Sequence, residues 1–350
     1  MTPAPDTRTL MRRLFEPKRL DAMAPVPKIA TYAVLALWTL VVLFPLYWVV
    51  VTSFKIEVQV DSGPYYLPFV DFRPTLDAWT FMLLHNNTLG PYVNSIVVAL
   101  TSTVLAVLIG SLAAYALVRI RFKVKLAAVL TFIVLTFAVI GAVVHFAVPW
   151  PIAVAVAIAL FLLALATFVR SFKAAVGNND IEFWMISNRI MPPIVAVLPI
   201  YVMFQQLRLL DTQFALISTY TAVNLPIVVW LTRDFFAGIP IDLEESAEID
   251  GASKFRVFFT IALPLVRSGL AATFLLVLIL SWNEYLLALF LSNANAQTMP
   301  VLVSAQNTTR GPQWWYMSVL IVVMIAPVIV IATFLQKHIA RGLLVGAVKG

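Results

Sequence analysis

Apolar residues run along the chain in long blocks, near 29–51, 93–118, 126–147, 150–169, 185–207, 214–236, 269–291 and 316–336. Each is close to the roughly 20 residues a helix needs to cross a hydrocarbon core of about 30 Å. The pattern therefore predicts eight spans, an even number that puts both chain ends on one side. Polar side chains interrupt it at greatest length between Pro240 and Pro264. There Asp242, Glu244, Glu245, Glu248 and Asp250 precede Gly251, and Lys254, Arg256 and Arg267 follow it. Acids crowding a first turn, a glycine able to take the positive φ of a C-cap, and Pro264 as a stop predict two short helices hinged at Gly251. Such a surface hairpin is suited to docking on another protein.

Composition agrees with a bilayer: 61% of residues are hydrophobic and 12% charged, with a mean hydropathy of +0.94, outside the range of soluble globules. The absence of Cys excludes disulfides and thiolate sites, and His85, His145 and His338 stand far apart with no ligand spacing. No metal is expected. The net charge of +7 raises nucleic acid as a partner, but the cations cluster beside spans, so orientation explains them and no nucleic acid is expected. Residues 1–28 carry six cations and five prolines without an apolar run, and read as a basic tail rather than a cleavable signal. With the N-terminus inside, Arg119, Arg121, Lys123, Lys125, Arg170, Lys173, Arg233, Lys254, Arg256, Arg267, Lys337, Arg341 and Lys349 fall inside, and only Lys55, Arg73, Arg208 and Arg310 outside. Arg189 is expected to snorkel to the inner interface. The hairpin 238–268 is then cytoplasmic.

Outside, residues 52–92 form a long loop with an amphipathic piece, Leu76–Leu84, whose Trp79 and Phe81 suit the headgroup layer, and residues 292–315 form a second loop. Within the spans, Glu284 either faces a polar path or pairs with another helix, since a carboxylate at a helix centre costs about 2.5–3.5 kcal/mol on insertion. Asn94, Gln205 and Asn224 read as interhelical hydrogen-bonding residues. Pro192, Pro193, Pro199, Pro226 and Pro327 are expected to kink or open their helices.

Glu245-Ser246-Ala247, three residues, Gly251, nine residues, then Ile261-Ala262-Leu263-Pro264 resembles the EAA loop of permease subunits in binding-protein-dependent ABC importers. Ser246 departs from the usual second alanine. Phe44–Lys55, Asn94-Ser95, Ala113–Arg119, Arg189–Pro193, Leu209–Thr212, Trp282–Glu284 and the ending Gln336–Gly350 are similar to the carbohydrate branch, specifically the smaller partner of the maltose-type permease pair. The resemblance covers about 29–125 and 183–350, while 126–182 is an extra hydrophobic pair that leaves the sidedness of everything downstream unchanged.

The resemblance implies an all-α polytopic protein with the type I ABC importer permease fold: a six-helix core plus an inserted pair within a transmembrane domain 29–336, and a cytoplasmic tail 337–350 that in relatives reaches the ATPase. It implies a bacterial inner-membrane subunit, both termini cytoplasmic, that is no enzyme and holds no cofactor. ATP and Mg would sit on an ATPase dimer, and the chain carries no phosphate-binding loop of its own. Further partners would be a homologous second permease, an extracytoplasmic solute-binding protein touched by the loop 292–315, and a sugar or polyol as solute. ATPase coupling would fall to Glu244, Glu245, Ala247, Asp250, Gly251, Ile261, Leu263 and Pro264, with Glu244, Glu245 and Asp250 offering acceptors to basic groups, and the solute path to Asn224, Asn283 and Glu284. Two other classes compete. A membrane enzyme of the lipid-linked glycosyl transferase kind needs acids or histidines clustered at one interface, and the clustered acids lie in the hinged motif. A secondary carrier needs internal repeats and midplane coupling charges, which are not evident.

Overall fold

The computed structural model describes residues 24–309 and 311–347. Most of the basic tail, Arg310 and residues 348–350 lie outside the described residues, as do the side chains of Arg189 and of 337–347. The chain is helical, as its apolar blocks require: lipid offers the backbone no hydrogen-bond partner, so each block closes its own N–H and C=O groups. The main helices are α1 (Pro25–Thr52), α2 (Leu89–Arg119), α3 (Leu126–Phe146), α4 (Trp150–Ala166), α5 (Asn178–Ile190), α6 (Pro193–Gln206), α7 (Gln213–Ala237), α8 (Ile241–Ile249), α9 (Lys254–Val257), α10 (Arg267–Trp282), α11 (Leu286–Leu291) and α12 (Trp314–Ala347). Six helical stretches are long and apolar enough to span, and two bent pairs raise the number to eight if each pair crosses as one.

Two of the apolar blocks differ from the uniform spans expected from sequence. The block 185–207 breaks at Met191-Pro192, because Pro192 and Pro193 end one helix and begin the next. Before the break, α5 is polar enough to lie at the membrane surface, with Glu182 paired to Arg233 of α7 at 2.6 Å. The block 269–291 breaks at Asn283–Tyr285 between α10 and α11. Pro264 does not stop the hairpin's second helix: a π turn over Phe258–Ala262 leads into Leu263–Leu265, absorbing the register around a residue with no N–H. The 82° bend falls between Leu265 and Arg267. α12 runs on through the region expected to be a separate tail.

The chain forms two compact units, one of residues up to Leu89 with Leu302–Pro327, the other of Gly90–Val301 with Val328 onward. In the first, Trp79, expected at the headgroup layer, is half-buried. It stacks on Phe54 with centroids 5.8 Å apart and donates to Ser53 Oγ at 3.2 Å. Lys55 is 1% exposed, donating to Tyr65 O at 2.6 Å beneath Trp48, 4.3 Å away, and its burial lowers its pKa. A short strand pair, Asn307–Thr308 with Gly311–Pro312, precedes α12.

The second unit is built around α7. Gly110 of α2 lets α7 approach so closely that a Cβ there would lie 2.5 Å from Val228 Cγ1, and Ala106, Val228 and Val277 bring α10 to the same contact. Toward one end of α7, Val98, Val197, Leu216, Tyr220 and Leu287 pack as one core; toward the other, Tyr115, Phe236, Phe258 and Ala262 form a second. α3 and α4 branch off between α2 and α5, closed at their base by the antiparallel pair β1 (Val124–Lys125) and β2 (Ala175–Val176).

Candidate coupling hairpin and membrane cavity

α8 ends in a Schellman arrangement that accounts for part of the motif's spacing. Ala252 N donates to Ala247 O at 2.9 Å and Gly251 N to Glu248 O at 3.0 Å, with Gly251 at φ 86°. The C-cap needs a left-handed residue four positions after Ala247, and glycine takes that conformation without Cβ strain. Ser253 then caps α9 by accepting from Arg256 N, and Lys254 pairs with Glu248 across the hinge. Ser246 bonds back to Asp242 O at 2.7 Å within α8, so the departure from alanine is absorbed inside the helix.

The acids of α8 divide between two faces. Glu244 is 3% exposed: it accepts from Arg119 Nε at 2.9 Å and Nη2 at 2.7 Å, and from the Tyr115 hydroxyl at 2.7 Å. Arg119 Nη2 also donates to Ile239 O at 2.9 Å and Phe236 O at 3.2 Å, two carbonyls at the end of α7. Glu244 therefore does not offer acceptors outward, as the sequence suggested; it ties α8 to the ends of α2 and α7. Tyr115 and Phe258 rings lie 5.2 Å apart beneath it, so the hairpin's second half joins the same core. Glu245 and Asp250 are exposed, as is Pro264, while Ala247, Ile261 and Leu263 are half-buried. Ile249 and Phe255 are 87% and 69% exposed, an apolar pair on either side of the hinge. Sequence reasoning used Arg119 as a topology marker and quoted it with Tyr115 inside the family-like segment Ala113–Arg119, but gave neither a contact with the hairpin, and it singled out neither Ile249 nor Phe255. A basic residue closing one span and an acid opening a later cytoplasmic segment was the available signal.

Of the three path candidates, the structure brings two together. A small cavity of about 50 Å³ is lined by Tyr220, Val223, Asn224, Leu280, Glu284 and Leu287. Asn224 donates to Ser281 Oγ at 3.1 Å. Glu284 stands at the break between α10 and α11 and its Oε1 accepts from Leu287 N at 3.0 Å, capping α11. Asn283 is exposed, bonds back to Ile279 O at 2.8 Å and does not line the cavity. Asn94 gathers the next loop, donating to Asn295 O at 2.9 Å and Gln297 O at 3.0 Å and accepting from Gln213 at 2.7 Å. Gln205 is exposed.

Comparison with known proteins places this architecture. The chain is 31% identical over 320 residues to a probable ABC transporter permease protein of Sinorhizobium fredii, covering 89% of this chain and 95% of that protein. It is 30% identical over 320 residues to the trehalose/maltose transport system permease protein of Thermococcus litoralis, covering 90% and 94%. Its fold resembles a chain in the crystal structure of a bacterial ABC transporter involved in the import of the acidic polysaccharide alginate, with a TM-score of 0.57 at 20% identity over 89% of this chain and 96% of that one. Residues 106–345 match the binding-protein-dependent transport system inner membrane components. The chain belongs to that family, as a multi-pass permease subunit of an ABC importer and not an enzyme.

Proposed function

We propose that this permease carries a sugar, sugar derivative or polyol across the membrane, together with a homologous second permease and an extracytoplasmic binding protein, and that it takes its power from an ATPase dimer seated on the α8–α9 hairpin. One observation carries the coupling reading. Glu244 is locked inward onto Arg119, while Glu245, Asp250, Ile249 and Phe255 of the same hairpin face solvent. A docking element needs both halves: an outer face with apolar anchors and charges for the partner, and an inner face bound to the helices it moves. ATP and Mg are bound by the partner. The termini lie on the hairpin's side, in the cytoplasm.

The solute class rests on the Thermococcus relative, a trehalose/maltose permease aligned over 94% of its length. Asn224 of α7 and Glu284 at the α10–α11 break, with Asn283 next to Glu284 in the chain, are the path candidates. The loop after α11 meets the binding protein. The test is co-expression with the second permease and the ATPase. Glu245→Lys and Gly251→Asp at unchanged membrane levels are expected to lose the ATPase on purification and to lose uptake of labelled maltose, trehalose or sorbitol, whichever the unmodified complex takes up. Survival of both complex and uptake in the two variants sinks the coupling reading. Uptake of none of the three by an intact, ATP-hydrolysing complex sinks the solute class alone.

A further inference from the structure

The inserted pair α3–α4 is the largest feature that the coupling reading does not use. Its two helices are only 6% and 17% buried over their apolar windows, so the bilayer covers them. At their base the chain crosses the membrane boundary twice through one narrow neck, where Val124 pairs with Val176 and Lys125 with Ala175, and Lys125 Nζ donates to Phe172 O at 2.6 Å. This pairing gathers Arg121 and Lys123, arriving, with Arg170 and Lys173, leaving, all four exposed. Among the described residues none of these four joins an ion pair. The nearby acids are engaged elsewhere: Asp180 accepts from Gly177 N at 2.9 Å and Glu182 pairs with Arg233. Exposed Phe122, Phe168 and Phe172 alternate with the cations, the mixture that headgroup layers favour.

A groove of about 290 Å³ runs between the two helices, lined by Phe132, Leu135, Val139, Ile140, Ile158 and Phe161 among others. Phe132 lies six residues into α3, so the groove opens roughly 9 Å below the neck at about 1.5 Å rise per residue. Four unpaired cations above an apolar groove call for a ligand with an anionic head and a long apolar body.

We propose that the neck and groove of the inserted pair bind an anionic phospholipid, its phosphate at Arg121, Lys123, Arg170 and Lys173 and one acyl chain between α3 and α4. Juxtamembrane cations attract anionic lipid by roughly fivefold each, and salt screens the effect. This site stands independently of the coupling hairpin.

The full-length chain in mild detergent, titrated with dioleoyl phosphatidylglycerol or dioleoyl phosphatidylcholine and read by native mass spectrometry, tests it. Phosphatidylglycerol is expected to be retained at least about tenfold better. That preference should vanish in the combined Arg121→Gln, Lys123→Gln, Arg170→Gln, Lys173→Gln variant, which keeps Lys125 to close the neck. Ala157→Phe, which fills the groove, should weaken retention with the charges intact. If the fourfold variant fails to reach the membrane, raising salt from about 0.05 to 0.5 M on the unmodified chain should abolish the preference instead. Equal retention of the two lipids, an undiminished preference in the fourfold variant, unchanged retention in Ala157→Phe, or a preference insensitive to salt each overturns the proposal.

Discussion

Arg119 grips Glu244 through two nitrogens, at 2.9 and 2.7 Å, across 125 positions of sequence. The pair is nearly dry, with side chains 12% and 4% exposed. Removing one partner of such a pair strands the other charge, which typically costs about 3–5 kcal/mol. Glu244→Ala should therefore lower the unfolding temperature of the purified chain sharply and Glu244→Gln less, because the amide oxygen still accepts. The double variant Arg119→Met, Glu244→Leu should recover much of the loss. If it is as unstable as the sum of the single variants, the pair is not coupled.

Gly251 sits at φ 86° with nothing within 4 Å of where a Cβ would be, so the obstacle to a side chain there is backbone strain alone. Gly251→Ala should loosen the end of α8 by about 1–2 kcal/mol, and Gly251→Asn by less. Hydrogen exchange at Gly251 and Ala252, whose N–H groups close the cap, reads the effect. Equal protection in all three proteins contradicts the capping account.

At Gly110 the obstacle is reversed: the backbone is helical but Val228 occupies the space. Gly110→Ala should cost about 1–3 kcal/mol by forcing α2 and α7 apart, and Val228→Ala in the same chain should relieve it. Thermal unfolding of the single and double variants measures both effects. An undisturbed single variant would show that the helices are not in this contact.

Asp211 orders the loop that follows α11, accepting from Asn293 N at 2.7 Å, Ala296 N at 2.9 Å and Asn295 N at 3.0 Å. Burial pushes its pKa up, but these backbone donors outweigh it and the net pKa is lowered. A lowered carboxyl pKa gives stability that is complete above the unfolded value of about 3.9 and is lost as pH falls through the still lower folded value. Exchange protection of the three amides, corrected for intrinsic rates, should thus hold steady from pH 7 to 5 and decay only below about pH 4. Asp211→Asn should be weaker at every pH and lack that decay.

The spans were legible because a bilayer demands long apolar runs, and the hinge because glycine takes its φ without Cβ strain. What escaped the sequence were breaks and facings. Glu284 looked like a carboxylate inside one helix, whereas the helix ends at Trp282 and the acid caps the next. Apolar runs continue through such a break, so hydropathy is blind to it. Glu244 and Glu245 are adjacent acids, yet one is locked on Arg119 and the other is exposed. Their difference depends on how α8 rotates onto α2 and α7, a tertiary fact with no local signature. The twin prolines Pro192 and Pro193 did mark a break, but the polarity of 178–190 was needed to read α5 as a surface helix.

Since the chain has no cysteine, Ile249→Cys introduces a single thiol at the most exposed large apolar residue of the hairpin, and its reaction with an impermeant maleimide tests the coupling account most directly. In sealed inside-out vesicles it should label rapidly, and added ATPase subunit should protect it. Labelling only from the opposite face, or labelling that the ATPase leaves unchanged, would contradict the account.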